Sequence, residues 1–353
     1  MEQQKVIFTS DMNDTLLQTV RELPHDKLYI LTDTHTKEAC LPLLKSFTDQ
    51  TPYQLISIEA GDTAKNIESI SHIWMVLSTS GATRNSLMLN LGGGMITDIG
   101  GFAAASFKRG IPFINIPTSL LGAVDAAVGG KTGINFNGLK NEIGTFSPAR
   151  YVLISTEFFQ TLDTENLLSG YAEMLKHGLL HSPEAFERVI SYDIRSRDPQ
   201  KLLELLRESV EIKRHIVTVD PFEKGIRKAL NLGHTAGHAF ESYCLHHNKP
   251  ILHGYAVAWG LVCELILSHR QCGFPLHLLT RTAEFVRENY GPLFISCKAY
   301  EELYEYMTHD KKNVSGTINF TLLRNVGEIE INQTASRENI NIMFDIYRDL
   351  FRI

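Results

Sequence analysis

His234 and His238 stand four residues apart in NLGHTAGH, so a helix there places two imidazoles one turn apart on one face. Two such nitrogens can hold a divalent metal ion. The spacing alone decides little, because His177 and His181 repeat it in a chain with 14 histidines. A zinc protease is disfavoured, since Thr235 rather than Glu follows the first histidine and no general base is placed. Glu173 in GYAEMLK and His253 at the head of HGYAV add a carboxylate and a third imidazole, enough for an open catalytic centre. The expected ligands are Glu173, His234 and His253, with His238 behind them in reach of substrate or phosphate. His177 and His181 read as structural.

Two glycine-rich stretches suit anions. Gly92, Gly93 and Gly94 lie between an apolar strand pattern and a helix running to about Phe107. Backbone amides at such a turn, backed by the positive end of a helix, can meet a pyrophosphate. The spacing is not that of GxGxxG, and a tight turn needing glycine at positive φ is the competing reading. The second stretch, DAAVGGKTG, invites a Walker reading, but Asp125 occupies the place of the required first glycine. What is left is a glycine-rich loop that, with Gly138, Leu139, Lys140 and Asn141, presents Lys131, Lys140 and Asn141 to a phosphate or a polyhydroxylated anion.

The elements that must position these groups change character along the chain. Up to about Leu153, KVIFTS, KLYILTD, YQLISIE, SLMLNLGGG and IPFINIPTS alternate with helical patterns such as DTLLQTVREL. Runs so apolar, separated by helices, predict an α/β parallel sheet covered on both faces. From about Thr164, ENLLSGYAEMLKHGLL, KLLELLRESVEIKRHIV and HGYAVAWGLVCELILSHR carry apolar residues at helical spacing. TINFTLLRNVGEIEIN reads as a small hairpin around Arg324, Asn325 and Gly327. The expected organisation is an N-terminal nucleotide-binding α/β domain over residues 1–163 and a mainly α-helical metal- and substrate-binding domain over 164–353. The 353 residues suit two cores.

Composition sets the limits. A net charge of −6 with no basic run argues against nucleic acid as a partner. The five scattered cysteines, odd in number and without a CxxC pair, indicate neither a disulfide framework nor a thiolate metal cage, and fit a reducing cytoplasm. The first residues lack a signal-peptide pattern, and no apolar run is long enough to span a bilayer, so neither secretion nor membrane insertion is expected.

Taken in order, GGGMITDIGGFAAASFKRGIPFINIPTSLLGAVDAAVGGKTGIN, LKNEIGTF, SGYAEMLKHG, RKALNLGHTAGHAFE, HGYAVAWG and HDKKN resemble the signature segments of the 3-dehydroquinate synthase family, within the sugar phosphate cyclases. The likeness is densest from about residue 90 to 260. It implies NAD, Zn2+ or Co2+, a homodimer, and a step of the shikimate pathway: 3-deoxy-D-arabino-heptulosonate 7-phosphate becomes 3-dehydroquinate and phosphate. The implied course is transient oxidation, phosphate elimination, reduction, ring opening and aldol closure. It further implies NAD contacts from Gly93, Gly94, Asp98, Thr118, Ser119 and Lys140, with Asp33, Asp62 and Lys65 near the adenosine half. The metal would sit on Glu173, His234 and His253. Substrate contacts would come from Asp125, Lys131, Asn141, Lys176, Lys213, Arg227, Asn231, His238 and Lys311 or Lys312, with Arg109 reaching across a two-fold interface. Lys213 and Arg227 suit the substrate carboxylate, because a fork-shaped guanidinium matches two oxygens.

Some positions depart from the family pattern. Tyr255 stands where Glu is usual, Ser119 replaces Thr, Ala126 and Ala127 replace two serines, Asp62 replaces Glu, and Leu139 replaces Gly. None falls on an expected metal ligand or charged substrate contact. Two rivals share the same parts. A sibling cyclase making an inosose or valiolone would have no substrate carboxylate for Lys213 and Arg227, and a metal-dependent alcohol dehydrogenase would release NADH.

Overall fold

The computed structural model describes residues 4–137, 139–196, 198–308 and 318–353. It divides into two units, Met1–Asp163 with Arg197–Val210, and Thr164–Ser196 with Glu211–Ile353.

The first unit runs β1 (Lys5–Phe8), α1 (Met12–Glu22), β2 (Leu28–Asp33), α2 (Thr34–Ala39), α3 (Lys45–Thr48), β3 (Gln54–Ile58), α4 (Ile67–Thr79), β4 (Leu87–Gly92), α5 (Gly94–Ser106), β5 (Phe113–Pro117), β6 (Lys131–Phe136), β7 (Leu139–Phe146) and β8 (Tyr151–Ile154). Among the described residues six strands form one sheet in the order β1-β8-β5-β4-β2-β3, every neighbouring pair parallel. Strands β2, β4, β5 and β8 are buried along their whole length, which is why their sequences carry no polar alternation. The chain works outward from β2 to β3 on one side and from β4 to β5 on the other. That reversal opens a crevice beyond the carboxyl ends of β2 and β4, where open α/β sheets take ligands. Asp33 and the glycines from Gly92 border it.

The second glycine-rich stretch is not a loop. A wide π-type turn, Gly122–Ala126, and the left-handed Gly129 and Gly130 lead into an antiparallel hairpin of β6 and β7. Gly133 and Gly144 face each other across it, and a Cβ on Gly144 would lie 2.1 Å from the Thr132 carbonyl. The strands close because neither position carries a side chain. The overlooked signal is Asn137-Gly138, a hairpin-turn dipeptide.

The second unit contains α6 (Thr164–His181), α7 (Pro183–Ile190), the part of α8 (Pro199–Val219) from Glu211 onward, α9 (His234–His246), α10 (His253–Cys272), α11 (Leu276–Tyr290), α12 (Tyr300–Thr308), β9 (Asn319–Asn325), β10 (Glu328–Thr334) and α13 (Arg337–Phe351). Strands β9 and β10 form the expected hairpin, with Gly327 left-handed at its turn. Helix α10 is the centre of this unit, packing on α6, α9, α11, α13 and β9. It is buried on nearly every side from Gly254 to Ser268, as a helix apolar all round must be. No helix among the described residues is long and apolar enough to cross a membrane.

Candidate active site

Two close helix crossings build the metal-competent cluster. At the start of α10, a Cβ on Gly254 would fall 1.8 Å from the Ser169 carbonyl of α6, and the Gly254 amide donates to Ser169 Oγ at 3.1 Å. Glu173 lies one turn beyond Ser169 and His253 immediately precedes Gly254, so this contact brings carboxylate and imidazole together. Where α9 meets α10, a Cβ on Gly260 would lie 2.0 Å from the Gly233 carbonyl. That crossing delivers His234, the first residue of α9.

Glu173 Oε1 stands 3.4 Å from His234 Nε2 and 3.6 Å from His253 Nε2. Ligand atoms about 2.1 Å from a tetrahedral ion are about 3.4 Å apart. Both separations from Glu173 therefore match a tetrahedral edge, and neither buried oxygen of Glu173 makes a hydrogen bond of good geometry. The donor set fits a divalent metal. Burial would push the Glu173 carboxyl up, but the Lys176 ammonium beside it, with His234 and then His253, holds it well below the usual carboxylate range. Burial would likewise lower the His253 imidazole, yet the neighbouring Glu173 and Glu241 carboxylates push it up to about 10 in the polypeptide alone.

Both imidazoles are oriented from behind. His234 Nδ1 is 3.1 Å from the Leu232 carbonyl, and His253 Nδ1 is 3.1 Å from Glu241 Oε2. Each contact favours the tautomer that leaves Nε2 a lone pair for a metal. His238 packs edge-on to His234 with ring centres 5.4 Å apart. Glu241, one turn before the end of α9, went unnoticed in the sequence. Its partner lies 12 residues away on another helix, and no motif encodes that crossing.

Three buried cations belong to the same unit. Lys176, Lys213 and Arg227 are all buried, at 1%, 6% and 3% exposure, where unpaired cations would be costly. Arg227 Nη1 donates to the Pro221 carbonyl at 2.6 Å, within a loop held by Asp220, which accepts from the amides of Lys224, Gly225 and Arg227. Asn231 Nδ2 donates to Glu223 Oε1 at 3.0 Å. Of the competing histidine pair, His177 is buried and His181 exposed. Lys311 and Lys312 lie outside the described residues.

In the first unit, Gly93 precedes α5 with φ −68°, and none of Gly92, Gly93 and Gly94 is left-handed. The turn reading based on positive φ therefore fails. The glycines are there for closeness: a Cβ on Gly93 would lie 3.2 Å from Ser119 Oγ, and one on Gly94 would lie 3.0 Å from Ala126 Cβ. No side chain caps α5, so its first amides suit an anion. Thr118 is buried, its amide on the Gly92 carbonyl, and Ser119 Oγ accepts from the Gly122 amide. Asp33 Oδ1 caps α2 through the Thr36 amide at 2.7 Å.

Lys65, 4% exposed, places Nζ 2.5 Å from both Asp98 Oδ2 and Asn141 Oδ1. Asn135, absent from the expected set, knits these residues together. Its amide donates to the Lys65 carbonyl, its Nδ2 to the Asp62 carbonyl, and its Oδ1 accepts from the Asn141 amide. Asn135 sits where the β6–β7 register shifts, an irregularity that residue types do not announce. Lys140 is 3.4 Å from Asp62 in an exposed pair. Asp125 lies in the π-type turn, and Lys131 opens β6, exposed. Arg109 is exposed and left-handed just past α5. The 13 residues of α5 put it about 20 Å along the axis from the glycine turn.

Sequence profiles of the 3-dehydroquinate synthase N-terminal and C-terminal regions match residues 55–169 and 170–313. A 3-dehydroquinate synthase of Parabacteroides distasonis is 53% identical over 353 residues, the whole of both chains. The chain belongs to the 3-dehydroquinate synthase family. A 3-dehydroquinate synthase of Leptospira interrogans is 36% identical, covering 88% of this chain and 86% of its own. Among solved structures, a 2-epi-5-epi-valiolone synthase from Streptomyces hygroscopicus with NAD+ and Zn2+ bound superposes with TM-score 0.89 at 24% identity, covering 99% and 98% of the two chains. A 2-deoxy-scyllo-inosose synthase complexed with carbaglucose-6-phosphate, NAD+ and Co2+ gives 0.83 at 20%, covering 98% and 96%. At these identities both establish the fold alone. The full-length synthase relative separates this chain from the sibling cyclases, and the chain is an enzyme with 3-dehydroquinate synthase activity.

Proposed function

We propose that this synthase works with NAD and zinc, the metal held by Glu173, His234 and His253 and the cofactor pyrophosphate by the amides opening α5. The tetrahedral-edge separations around Glu173 carry the metal assignment. When bound, NAD takes up and returns a hydride while the metal polarises the alcohol or ketone oxygen. Lys65, joined to Asp98 and Asn141, keeps the floor of the nucleotide site rigid, with Asp33, Asp62, Thr118, Ser119 and Lys140 around it.

The chain's own groups do the rest by binding and orienting. Lys213 and Arg227 take the carboxylate of the heptulosonate phosphate; their burial strengthens that attraction over the same pair in water. Lys176 offsets Glu173, leaving positive charge in excess around the metal and favouring an anionic oxygen there. Asn231 and His238 reach substrate hydroxyls or phosphate, His238 beside the ligand pair. Asp125, Lys131 and Asn141 add further substrate contacts, with Lys311 or Lys312 completing the phosphate contacts.

Exposed Phe136, Leu139, Ile143 and Phe146 on β6 and β7 support a homodimer, because such apolar patches mark protein contacts. The distance of Arg109 from its own glycine turn supports its acting in a partner's site. Five unpaired thiols, Cys297 exposed among them, support a cytoplasmic setting. The decisive assay supplies the heptulosonate phosphate, NAD+ and zinc. Equal release of phosphate and 3-dehydroquinate without net NADH is expected. NADH accumulating in step with substrate loss would replace this reading with a dehydrogenase.

A further inference from the structure

Helix α9 begins in a way that its own sequence does not explain. Its N-cap is Gly233, left-handed at φ 80°, and Gly233 offers no side chain to the amides of the first turn. Glycine is required there: a Cβ would lie 2.8 Å from the Leu261 side chain and 2.9 Å from its amide nitrogen. The cap comes instead from Glu264 on α10. Glu264 is wholly buried, and its Oε2 accepts from the Gly233 amide at 2.7 Å while Oε1 accepts from Thr235 at 2.9 Å and Ala236 at 3.2 Å. Those amides flank His234.

We propose that Glu264 is a positioning residue for the metal centre, clamping the first turn of α9 so that His234 is held ready for the ion. Two physical effects support this role. Three charge-assisted hydrogen bonds fix the backbone from 233 to 236, and the Leu232 carbonyl then fixes the imidazole. The second effect is electrostatic. A helix N-terminus carries partial positive charge, an unfavourable neighbour for a cation bound by the first residue of that helix. The buried carboxylate cancels that charge. Glu264 and His253 also ride on the same helix, so α10 presents one ligand directly and governs the other at a distance.

This rests on the metal assignment above, and wild-type zinc binding tests that assignment separately. Glu264→Gln keeps the size of the side chain, but one carbonyl oxygen cannot serve both the Gly233 amide and the Thr235 and Ala236 amides. Zinc affinity, read by competition with a chromogenic chelator, should fall about 10- to 100-fold, the usual effect of removing a group that orients a metal ligand. NAD affinity should stay unchanged. Zinc affinity within twofold of wild type in a folded variant would overturn the proposal and leave Glu264 a helix cap only. Should the variant not fold, hydrogen exchange on the wild-type apoprotein decides. Amides 233, 235 and 236 should be protected before zinc is added, whereas protection appearing only with zinc would show that the metal orders this turn and Glu264 does not.

Discussion

Removing the Glu173 carboxylate from water costs several kcal/mol unless its charge is met, and the chain meets it with Lys176 one turn along and two imidazoles from other helices. Residues arranged at that cost point to binding rather than to stability. His234→Ala should lose tight zinc while the purified protein stays folded, as metal analysis after dialysis would show. His181→Ala should keep its metal, because His181 faces solvent at the end of α6; metal lost there would mean that the wrong histidine pair was chosen. At this scale the sequence pointed to the three side chains that the structure brings together, Glu173, His234 and His253. The groups behind them were not legible there. Glu241, Glu264 and Asn135 act on partners brought near by helix crossings or a strand irregularity, and no spacing in the chain records such contacts.

The two helix crossings that bring the site together close because Gly254 and Gly260 carry no side chain. Gly254→Ala should be badly tolerated, because the new Cβ would meet the Ser169 carbonyl at 1.8 Å and drive α10 away from α6. The overpacking should cost about 1–3 kcal/mol, seen as a Tm lower by several degrees together with weakened zinc binding. Gly273→Ala is the control. A Cβ there meets nothing within 4 Å although φ is 80°, so a fall of about 1 kcal/mol from backbone strain alone is expected, with zinc binding intact. Equal zinc affinity in both variants would separate the crossing from the metal centre. Strands β2, β4 and β5 and helices α6 and α10 could be read from their apolar patterns. The hairpin of β6 and β7 was missed because β7 is exposed along its length and carries no pattern of burial.

For the whole molecule, the test of shared sites is genetic complementation in vitro. Arg109→Ala and Lys131→Ala homodimers should each be nearly inactive, whereas verified mixed dimers should recover a fraction of wild-type turnover, one site drawing on the intact Arg109 of its neighbour. Mixed dimers as inactive as their parents would return Arg109 to a surface charge at the end of α5. The route of the chain carries a consequence for anyone cutting the gene into pieces. Helix α8 starts in the first unit and finishes in the second, and the Arg207 guanidinium lies 4.7 Å over the Phe8 ring. A plasmid ending at codon 163 would encode a sheet whose first strand has lost that cover, while the remaining fragment would carry, in α8, a helix whose first half belongs with the absent polypeptide. The two halves of this enzyme are separable on paper but not by a single restriction cut.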